Sequence, residues 1–338
     1  MKQQLDSKVK EAVTEVGFSG TILVRKNGEV IHESAYGFAN RSDQLKNTVH
    51  TRFGIASGCK LFTAISFGIL VDEGKITFDT RLKDCLDIQF SNFSDEITIH
   101  HLLSHTSGIP DYFDESVMDD FEELWKTRPM YSMRELKDFL PMFQHRDMMF
   151  QPGSQFHYNN AGFIVLGLVI EQLAGMSFTD FVEQKVFARA GMRDSGYFSL
   201  DQLPANTAIG YIDDVASGTW KSNMYSIPIK GGADGGAFIT VHDMVRLFDA
   251  LFSKKLLTES TTERLLSVQA EGEDDEFYGY GIWMDKQADE ITKHHVMGYD
   301  PGVSFHAAVY ANGVEVVIAS NKSEGAYSIM VAIEELLD

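Results

Sequence analysis

The sequence has few cysteines, a deficit of basic residues and no long apolar run at its start. Cys59 and Cys85 are its only cysteines, too few for a disulfide scaffold and without metal-ligand spacing, which fits a reducing cytoplasm. The 29 Lys and Arg residues face 49 Asp and Glu residues, and the resulting net charge of −20 repels phosphate backbones and anionic lipids. We therefore expect no nucleic-acid partner.

Residues 1–18 contain no apolar core of seven or more residues, and their apolar positions recur about once per helical turn. This pattern predicts an amphipathic helix, with neither a secretory signal nor a membrane segment, and favours a cytoplasmic location. A chain whose signal had been removed would look the same. No repeat or low-complexity tract is present, and the sequence does not indicate an oligomeric state.

What the sequence does contain is a large apolar fraction, 44% of its residues, in alternating β-rich and helical segments. Asn27-Gly28 and Asn312-Gly313 each separate two β-rich runs, which predicts two tight hairpins. Helical patterns lie between them, including a segment at 53–74 that is apolar on all sides and is expected to be buried.

This order predicts an α+β fold, with an antiparallel sheet assembled from both chain ends, flanked by helices, and a mainly helical lobe. We expect a single domain over 1–338. Its α/β lobe comprises about 1–75 and 270–338, and its helical lobe about 76–269. The acidic run at 271–277 predicts a solvated loop, and the segment at 111–123 predicts a surface insertion beside a cleft.

Ser57 and Lys60 stand three residues apart at the mouth of the buried helix. On a helix this spacing brings their side chains about 5–6 Å apart on one face. A lysine whose charge is disfavoured by burial can take the serine proton, and a serine at a helix start has free N–H groups directed at a forming anion. The pair is thus a candidate nucleophile and base. The alternative is a helix-capping serine beside a lysine that extends to solvent.

Tyr158 and Asn160 form a second candidate pair in "FHYNNAG". Two residues apart in an extended segment, their side chains point the same way and offer a phenol for proton transfer and an amide for a substrate carbonyl. The alternative is a buried tyrosine beside a capping asparagine.

Four other features carry weaker functional signals. His101 and His105 have the i, i+4 spacing of a metal site, but no glutamate lies between them, and we expect neither a metal nor another cofactor. The "GGADGG" run at 231–236 lacks the Lys-Ser/Thr of a phosphate loop and predicts a close backbone approach at the cleft wall. We expect Cys59 to be buried in packing and Asp300 to be a turn residue.

Four blocks of the sequence together carry a family resemblance. Ser57-x-x-Lys60 behind "FGIAS", "ITIHHLLSHTSGIPDY", "QPGSQFHYNNAGFIVLG" and "GGADGGAFITVHDMVRL" resemble the serine hydrolases of the penicillin-recognising, β-lactamase/transpeptidase-like fold. The branch is that of class C β-lactamases, D-Ala-D-Ala carboxypeptidases and other D-amino-acid peptidases, and related esterases. The likeness extends over about residues 8–336.

The resemblance implies roles for the two candidate pairs. Ser57 would be acylated, Lys60 would be the first proton acceptor and Tyr158 would pass the proton to the leaving group. Asn160 would bind the amide of the acyl side chain. Backbone N–H groups of Ser57 and Tyr299 would bind the oxyanion.

A third family motif, Lys or His followed by any residue and Gly, is altered in this sequence. Alignment on Gly298 puts Val296 at the cationic or imidazole position. His295 lies one residue early, on the opposite face of a strand, and would reach substrate only through a bulge. With Gly298, Tyr299 and Asn160 it completes the predicted substrate-binding residues.

The expected function is hydrolysis of a small ester, amide or D-peptide through a covalent acyl-enzyme. Because Val296 removes a carboxylate-binding group, an esterase or peptidase is favoured over an efficient β-lactamase. The alternative is a catalytically impaired member of this fold that serves as a ligand-binding or regulatory module. A small molecule is the expected partner.

Overall fold

The computed structural model describes residues 2–272 and 276–337. Three residues of the predicted acidic loop, 273–275, thus lie outside the described residues. The strands are β1 (Gly20–Lys26), β2 (Glu29–Tyr36), β3 (Phe38–Asn40), β4 (Leu45–Lys46), β5 (Phe53–Gly54), β6 (Tyr211–Asp214), β7 (Thr219–Ser222), β8 (Phe238–Ile239), β9 (Ala270–Glu271), β10 (Phe277–Tyr278), β11 (Trp283–Gln287), β12 (Glu290–Asp300), β13 (Val303–Tyr310) and β14 (Val314–Ser320).

Eight of these strands form one antiparallel sheet in the order β2-β1-β14-β13-β12-β11-β10-β9. The N-terminal hairpin therefore completes a sheet whose other strands come from the C-terminal part of the chain. Both predicted hairpins are confirmed. At the first, Asn27 and Gly28 have φ values of 49° and 84°, and the left-handed conformation of both residues matches the twist of the paired strands.

The α-helices are α1 (Lys2–Val16), α2 (Lys60–Asp72), α3 (Ile99–Leu103), α4 (Leu124–Thr127), α5 (Asn160–Ala174), α6 (Phe178–Phe181), α7 (Ala188–Ala190), α8 (Val241–Phe252), α9 (Glu259–Leu266) and α10 (Ala326–Glu334). A π-helical segment, Val182–Phe187, joins α6 to α7. Short 3₁₀ turns lie at Ala56–Cys59, Leu82–Asp84, Phe121–Glu123, Met130–Ser132, Leu136–Met142, Leu200–Gln202 and Asn223–Tyr225.

The main sheet is covered on both faces because its strands alternate apolar residues on both sides. Along β14, Val316 and Ile318 belong to an apolar cluster with residues of α1 and α10. Val317 and Ala319 belong to the larger cluster around α2 and α5. The helix α2 is buried almost throughout its length, so the residues at its N-terminus are held between the sheet and the helical part of the chain.

No single helix in the described ranges is long and apolar enough to cross a membrane. One pair, Asn160–Ala174 with Phe178–Ala190, meets that test only when joined across a 73° bend.

Candidate active site

Ser57 lies in the 3₁₀ turn Ala56–Cys59, three residues before α2 begins at Lys60. The preceding residue, Ala56, has a φ of 43°. A non-glycine residue in this left-handed region costs on the order of 1–3 kcal/mol and persists only where its surroundings fix it. The turn packs against β12, where a β-carbon on Gly298 would lie 2.8 Å from the Ser57 nitrogen. Only glycine permits this approach, which holds the serine beside the strand.

Lys60 is 2% exposed and is surrounded by hydrogen-bonding partners. Its Nζ lies 2.9 Å from Ser57 Oγ, 2.8 Å from Asn160 Oδ1 and 2.8 Å from the Asp234 carbonyl oxygen. The amide and carbonyl oxygens can only accept. A neutral amine has two N–H donors for these two acceptors, and its lone pair then faces the serine hydroxyl. The geometry therefore suits proton transfer from Ser57 to Lys60.

Tyr158 covers the other side of the amine. The Lys60 Nζ lies 4.8 Å from the centre of its ring. Burial and the nearby Glu115 carboxylate raise the pKa of the Tyr158 phenol well above its usual range, although a hydrogen-bonding interaction with Ser57 opposes this. At neutral pH the phenol thus keeps its proton and can donate it. The side chains of Ser57, Lys60 and Tyr158, to which the sequence analysis gave catalytic roles, thus lie next to one another.

The ring of Tyr158 lies on His105, with ring centres 4.4 Å apart. His105 Nδ1 accepts a hydrogen bond from the Asn159 N–H at 3.0 Å, so the opposite nitrogen, Nε2, donates to Tyr278 Oη at 3.1 Å. Burial and Lys60 hold the pKa of His105 well below its usual range. This neutral histidine fixes the position of Tyr158. His101 and His105 have the i, i+4 spacing of a metal site, but both ring nitrogens of His105 form hydrogen bonds within the protein.

Asn160, the first residue of α5, uses both ends of its amide inside the protein. Its Oδ1 accepts from Lys60, and its Nδ2 donates to the Phe113 carbonyl at 3.2 Å and to Glu115 Oε1 at 3.3 Å. Asp111 anchors the residue by accepting from the backbone N–H of Asn160 at 2.7 Å. Burial raises the pKa of Asp111 to about 7, although the backbone hydrogen bonds that its carboxylate accepts act to lower it. Asn160 therefore positions the lysine, and binding of a substrate amide would displace Glu115.

The glycine-rich run forms the opposite wall, as predicted. Asp234 supplies the carbonyl that binds Lys60, and a β-carbon on Gly235 would lie 3.6 Å from the Ala56 carbonyl carbon. The carboxyl of Asp234 is buried and accepts a hydrogen bond from the Tyr112 hydroxyl. Burial raises its pKa, while Lys60 and Tyr112 act in the opposite direction.

Along β12, alternate residues face the nucleophile. Val296, 2% exposed, belongs to the main core, Gly298 touches the Ser57 turn and Asp300 lines the cleft. Asp300 also pairs with Val303 across the Pro301-Gly302 turn, in agreement with its prediction as a turn residue, but its place in the cleft wall was not predicted. The Tyr299 side chain points to the opposite face of the strand, where its phenol oxygen is 2.6 Å from His306 Nε2. Only the backbone of Tyr299 therefore lies beside Gly298 on the cleft side.

His295 does not reach the cleft, which corrects its assignment as a substrate-binding residue. The pairing of β12 with β13 has no register shift from Lys293 to Asp300, so the bulge that His295 required is absent there. Its side chain lies on the face opposite Val296, with Nε2 3.2 Å from Asp285 Oδ1.

Cys59 is fully buried and its Sγ donates to the Gly232 carbonyl at 3.8 Å. Burial raises the pKa of this thiol to about 12, so it stays protonated and unreactive. This agrees with its prediction as a packing residue.

A cavity of about 1070 Å³ opens from Ser57. The insertion after Asp111, the glycine-rich run and the end of β12 supply its walls, and Tyr112, Glu115, Asp234, Tyr299 and Asp300 are among its lining residues. Sequence reasoning missed Tyr112, Asp234 and Tyr278 because single buried polar residues far apart in the chain leave no spacing signal.

Comparison with known proteins places this geometry in a family. The family model described as Beta-lactamase matches residues 5–332. The crystal structure of a penicillin binding protein from Bacillus halodurans is 54% identical, with a TM-score of 0.93 over 97% of this chain and 99% of that one. Penicillin-binding protein 4* of Bacillus subtilis (strain 168) is 28% identical over 95% of this chain and 72% of its own length.

A D-stereospecific amidohydrolase from Streptomyces sp. is 21% identical, with a TM-score of 0.80 over 96% of this chain and 97% of its own. That likeness shows a shared fold. The architecture is β-lactamase/transpeptidase-like, and the chain belongs to the Beta-lactamase family.

Proposed function

We propose that the protein is a serine hydrolase that cleaves a small ester or amide through a covalent acyl-enzyme. The observation that supports this proposal is the set of three hydrogen-bond contacts that Lys60 Nζ makes with Asn160, the Asp234 carbonyl and Ser57. A buried amine with two fixed acceptors and a serine hydroxyl in third place serves as a base for that hydroxyl. A purely structural lysine would have no need of the strained serine turn beside it.

In the first step Ser57 Oγ bonds to the substrate carbonyl carbon as its proton passes to Lys60. The charge on the carbonyl oxygen would be stabilised by the backbone N–H groups of Ser57 and Tyr299. Tyr158 then donates its proton to the leaving group as the carbon–leaving-group bond breaks, and Lys60 returns the first proton to Tyr158. Water attacks the ester by the reverse route, releasing the acid and restoring the serine.

Substrates are proposed to be carboxylic esters, amides or D-peptides in preference to β-lactams. Val296 occupies the position of a cationic or imidazole group in the family motif, and its apolar side chain offers no partner for a substrate carboxylate. Similar proteins are named for penicillin binding and, among those that share the fold, for D-stereospecific amide hydrolysis, so both chemistries belong in the substrate survey.

Active-site labelling tests the proposal. Intact-protein mass spectrometry after treatment with a fluorophosphonate should show one adduct, absent in Ser57→Ala and unchanged in the matched control Ser154→Ala, an exposed serine. Hydrolysis of p-nitrophenyl acetate should disappear with the adduct. An adduct that persists in Ser57→Ala would overturn the assignment of the nucleophile.

The alternative is a catalytically impaired binding module, which Val296 favours. Penicillin, nitrocefin and D-alanyl peptides separate the two functions when used beside the ester. A module would bind one of these without forming an adduct or product, and would also leave the fluorophosphonate unreacted.

A further inference from the structure

The strand β12 presents different chemistry on the two sides of the nucleophile. Gly298 lies directly against the Ser57 turn. Residues two positions away on the same face of a strand lie about 6.6 Å along it, so Val296 and Asp300 lie at similar distances along the strand on either side of Gly298. One flank is apolar and the other carries a carboxyl group.

Aromatic rings occupy the Val296 side. Tyr158 lies parallel to Trp283, with ring centres 6.0 Å apart, and Trp283 pairs with His295, the neighbour of Val296. Under the proposed function Tyr158 donates to the leaving group, so the leaving group lies on this side. The acyl group must then extend the other way, towards Asp300.

The cavity also extends towards Asp300. Its lining includes Asp300 and the following Pro301–Val303 segment, but neither Val296 nor Trp283. No hydrogen bond or ion pair of the Asp300 carboxyl occurs within the described residues. The charged groups that act on it are Asp234, Glu115 and Lys60.

Two further cations, Lys46 and Lys230, line the cavity but are not among the charges that act on Asp300. Lys60 is already engaged by three partners. Among the described residues, no cation other than the engaged Lys60 therefore acts on the Asp300 carboxyl.

We propose that the substrate's acyl group carries an ammonium ion close to the scissile carbonyl, bound by Asp300 with Glu115 and Asp234 behind it. The substrate class is then an aminoacyl ester or amide with a free amine. This inference rests on the proposed function, because the direction of the acyl group follows from the role of Tyr158. An anionic acyl group would meet three carboxyls and is excluded from this side.

The pKa of Asp300 in the free protein indicates what a bound ammonium ion would change. Burial and Asp234 raise the pKa of Asp300 to about 8, against the field of Lys60. A bound ammonium favours the ionised carboxylate, so an aminoacyl substrate would displace the proton that the carboxyl holds at neutral pH.

The test compares isosteric acyl groups. Methyl esters of alanine, lactic acid and propanoic acid, with both enantiomers of the first two, differ at one position by ammonium, hydroxyl and hydrogen. We expect kcat/KM for one alanine enantiomer to exceed that for the lactate ester by about tenfold or more, the size of a charge-assisted hydrogen bond. Asp300→Asn should remove this preference and Asp300→Glu should retain part of it.

Asp119→Asn is the matched control, because Asp119 is an exposed acid that lines the same cavity. It should alter the preference by less than about twofold. Equal rates for alanine and lactate esters, or a preference that survives Asp300→Asn, would overturn the inference.

Binding to Ser57→Ala separates this inference from the proposed function. Calorimetry with alaninamide and lactamide requires no chemistry, so it reports charge recognition even if Ser57 proves unreactive. Tighter binding of alaninamide that depends on Asp300 supports the inference. Equal binding of the two amides contradicts it whatever the outcome of fluorophosphonate labelling.

Discussion

The two sides of Gly298 differ in the protonation chemistry they provide. On the Val296 side the titratable groups are kept neutral, since burial raises the pKa of Tyr158 and lowers that of His105. On the Asp300 side carboxyl groups are gathered, and burial raises the pKa values of Asp234 and Asp300, with Asp234 adding to the rise at Asp300. Under the proposed function and the inference drawn from it, a single strand thus separates a region for proton transfer from a region for charge recognition.

This difference indicates that the lysine is shared by both regions. Lys60 lowers the pKa of His105 on one side and opposes the raised pKa of Asp300 on the other. Changes at the lysine should therefore have the largest effect, and changes on either flank should have effects confined to one step.

Replacing Lys60 with Met removes the amine at the junction of the two regions. We expect kcat/KM for ester hydrolysis to fall by about 10²–10⁴-fold, the usual contribution of a general base. Stopped-flow or steady-state assays with p-nitrophenyl acetate give the value. The variant also leaves the Asn160 and Asp234 acceptors unpaired, so circular dichroism must show that it is folded.

Lys60→Arg supplies the control, since a guanidinium keeps the charge and the donors but cannot give up a proton at neutral pH. Its activity should be as low as that of Lys60→Met. An arginine variant that retained more than about a tenth of the activity would show that the lysine acts by charge and not as a base.

Tyr158→Phe tests the neutral side alone. The ring contacts with His105 and Trp283 remain, while the proton donor is lost. We expect kcat/KM to fall by about 10²-fold or more for methyl esters. The loss should be smaller for p-nitrophenyl esters, whose leaving group departs without a proton.

The matched variant Tyr278→Phe removes the neighbouring hydroxyl that His105 Nε2 contacts. Because Tyr278 does not reach the serine in the proposed mechanism, its loss should be less than about tenfold. Equal losses for good and poor leaving groups in Tyr158→Phe would show that the phenol does not protonate the leaving group.

Short-range patterns in the sequence predicted much of the fold. The turn dipeptides Asn27-Gly28 and Asn312-Gly313 determine local backbone geometry, and both hairpins occur where expected. The pairing of β1 with β14, in contrast, joins residues about 300 apart, and only the resemblance and the placing of strands at both ends pointed to it.

The candidate site divides in the same way. The spacing of Ser57 and Lys60 and the Tyr158 loop were visible as motifs, whereas Asp234 and Tyr112 act through a contact between distant segments. The assignment of His295 failed because it depended on a bulge, which is a property of strand pairing that a single strand does not encode. The place of Asp300 in the cleft wall was missed because a Pro-Gly pair follows it. This pair is a strong turn signal, and it draws attention away from the last residue of the strand before it.

The acidic side can be isolated with a cation that does not titrate. Tetramethylammonium keeps its charge at every pH, so any pH dependence of its inhibition belongs to the protein. The pKa of Asp300 is about 8, which means that the carboxyl is mostly protonated at pH 7 and mostly ionised at pH 9. Competitive inhibition should therefore strengthen as pH rises, by up to about tenfold across this interval for one titrating group.

Asp234, Glu115 and Lys60 act on the same carboxyl, and the buried Tyr112 hydroxyl is bound to Asp234. Asp300→Asn distinguishes its own titration from theirs, since it should flatten the profile, while Asp119→Asn should leave the slope in place. The measurements are made at constant ionic strength, because salt screens an open cleft. Inhibition that weakens with rising pH, or a slope unchanged in Asp300→Asn, would mean that the charge difference between the two sides of Gly298 does not govern what the cleft binds.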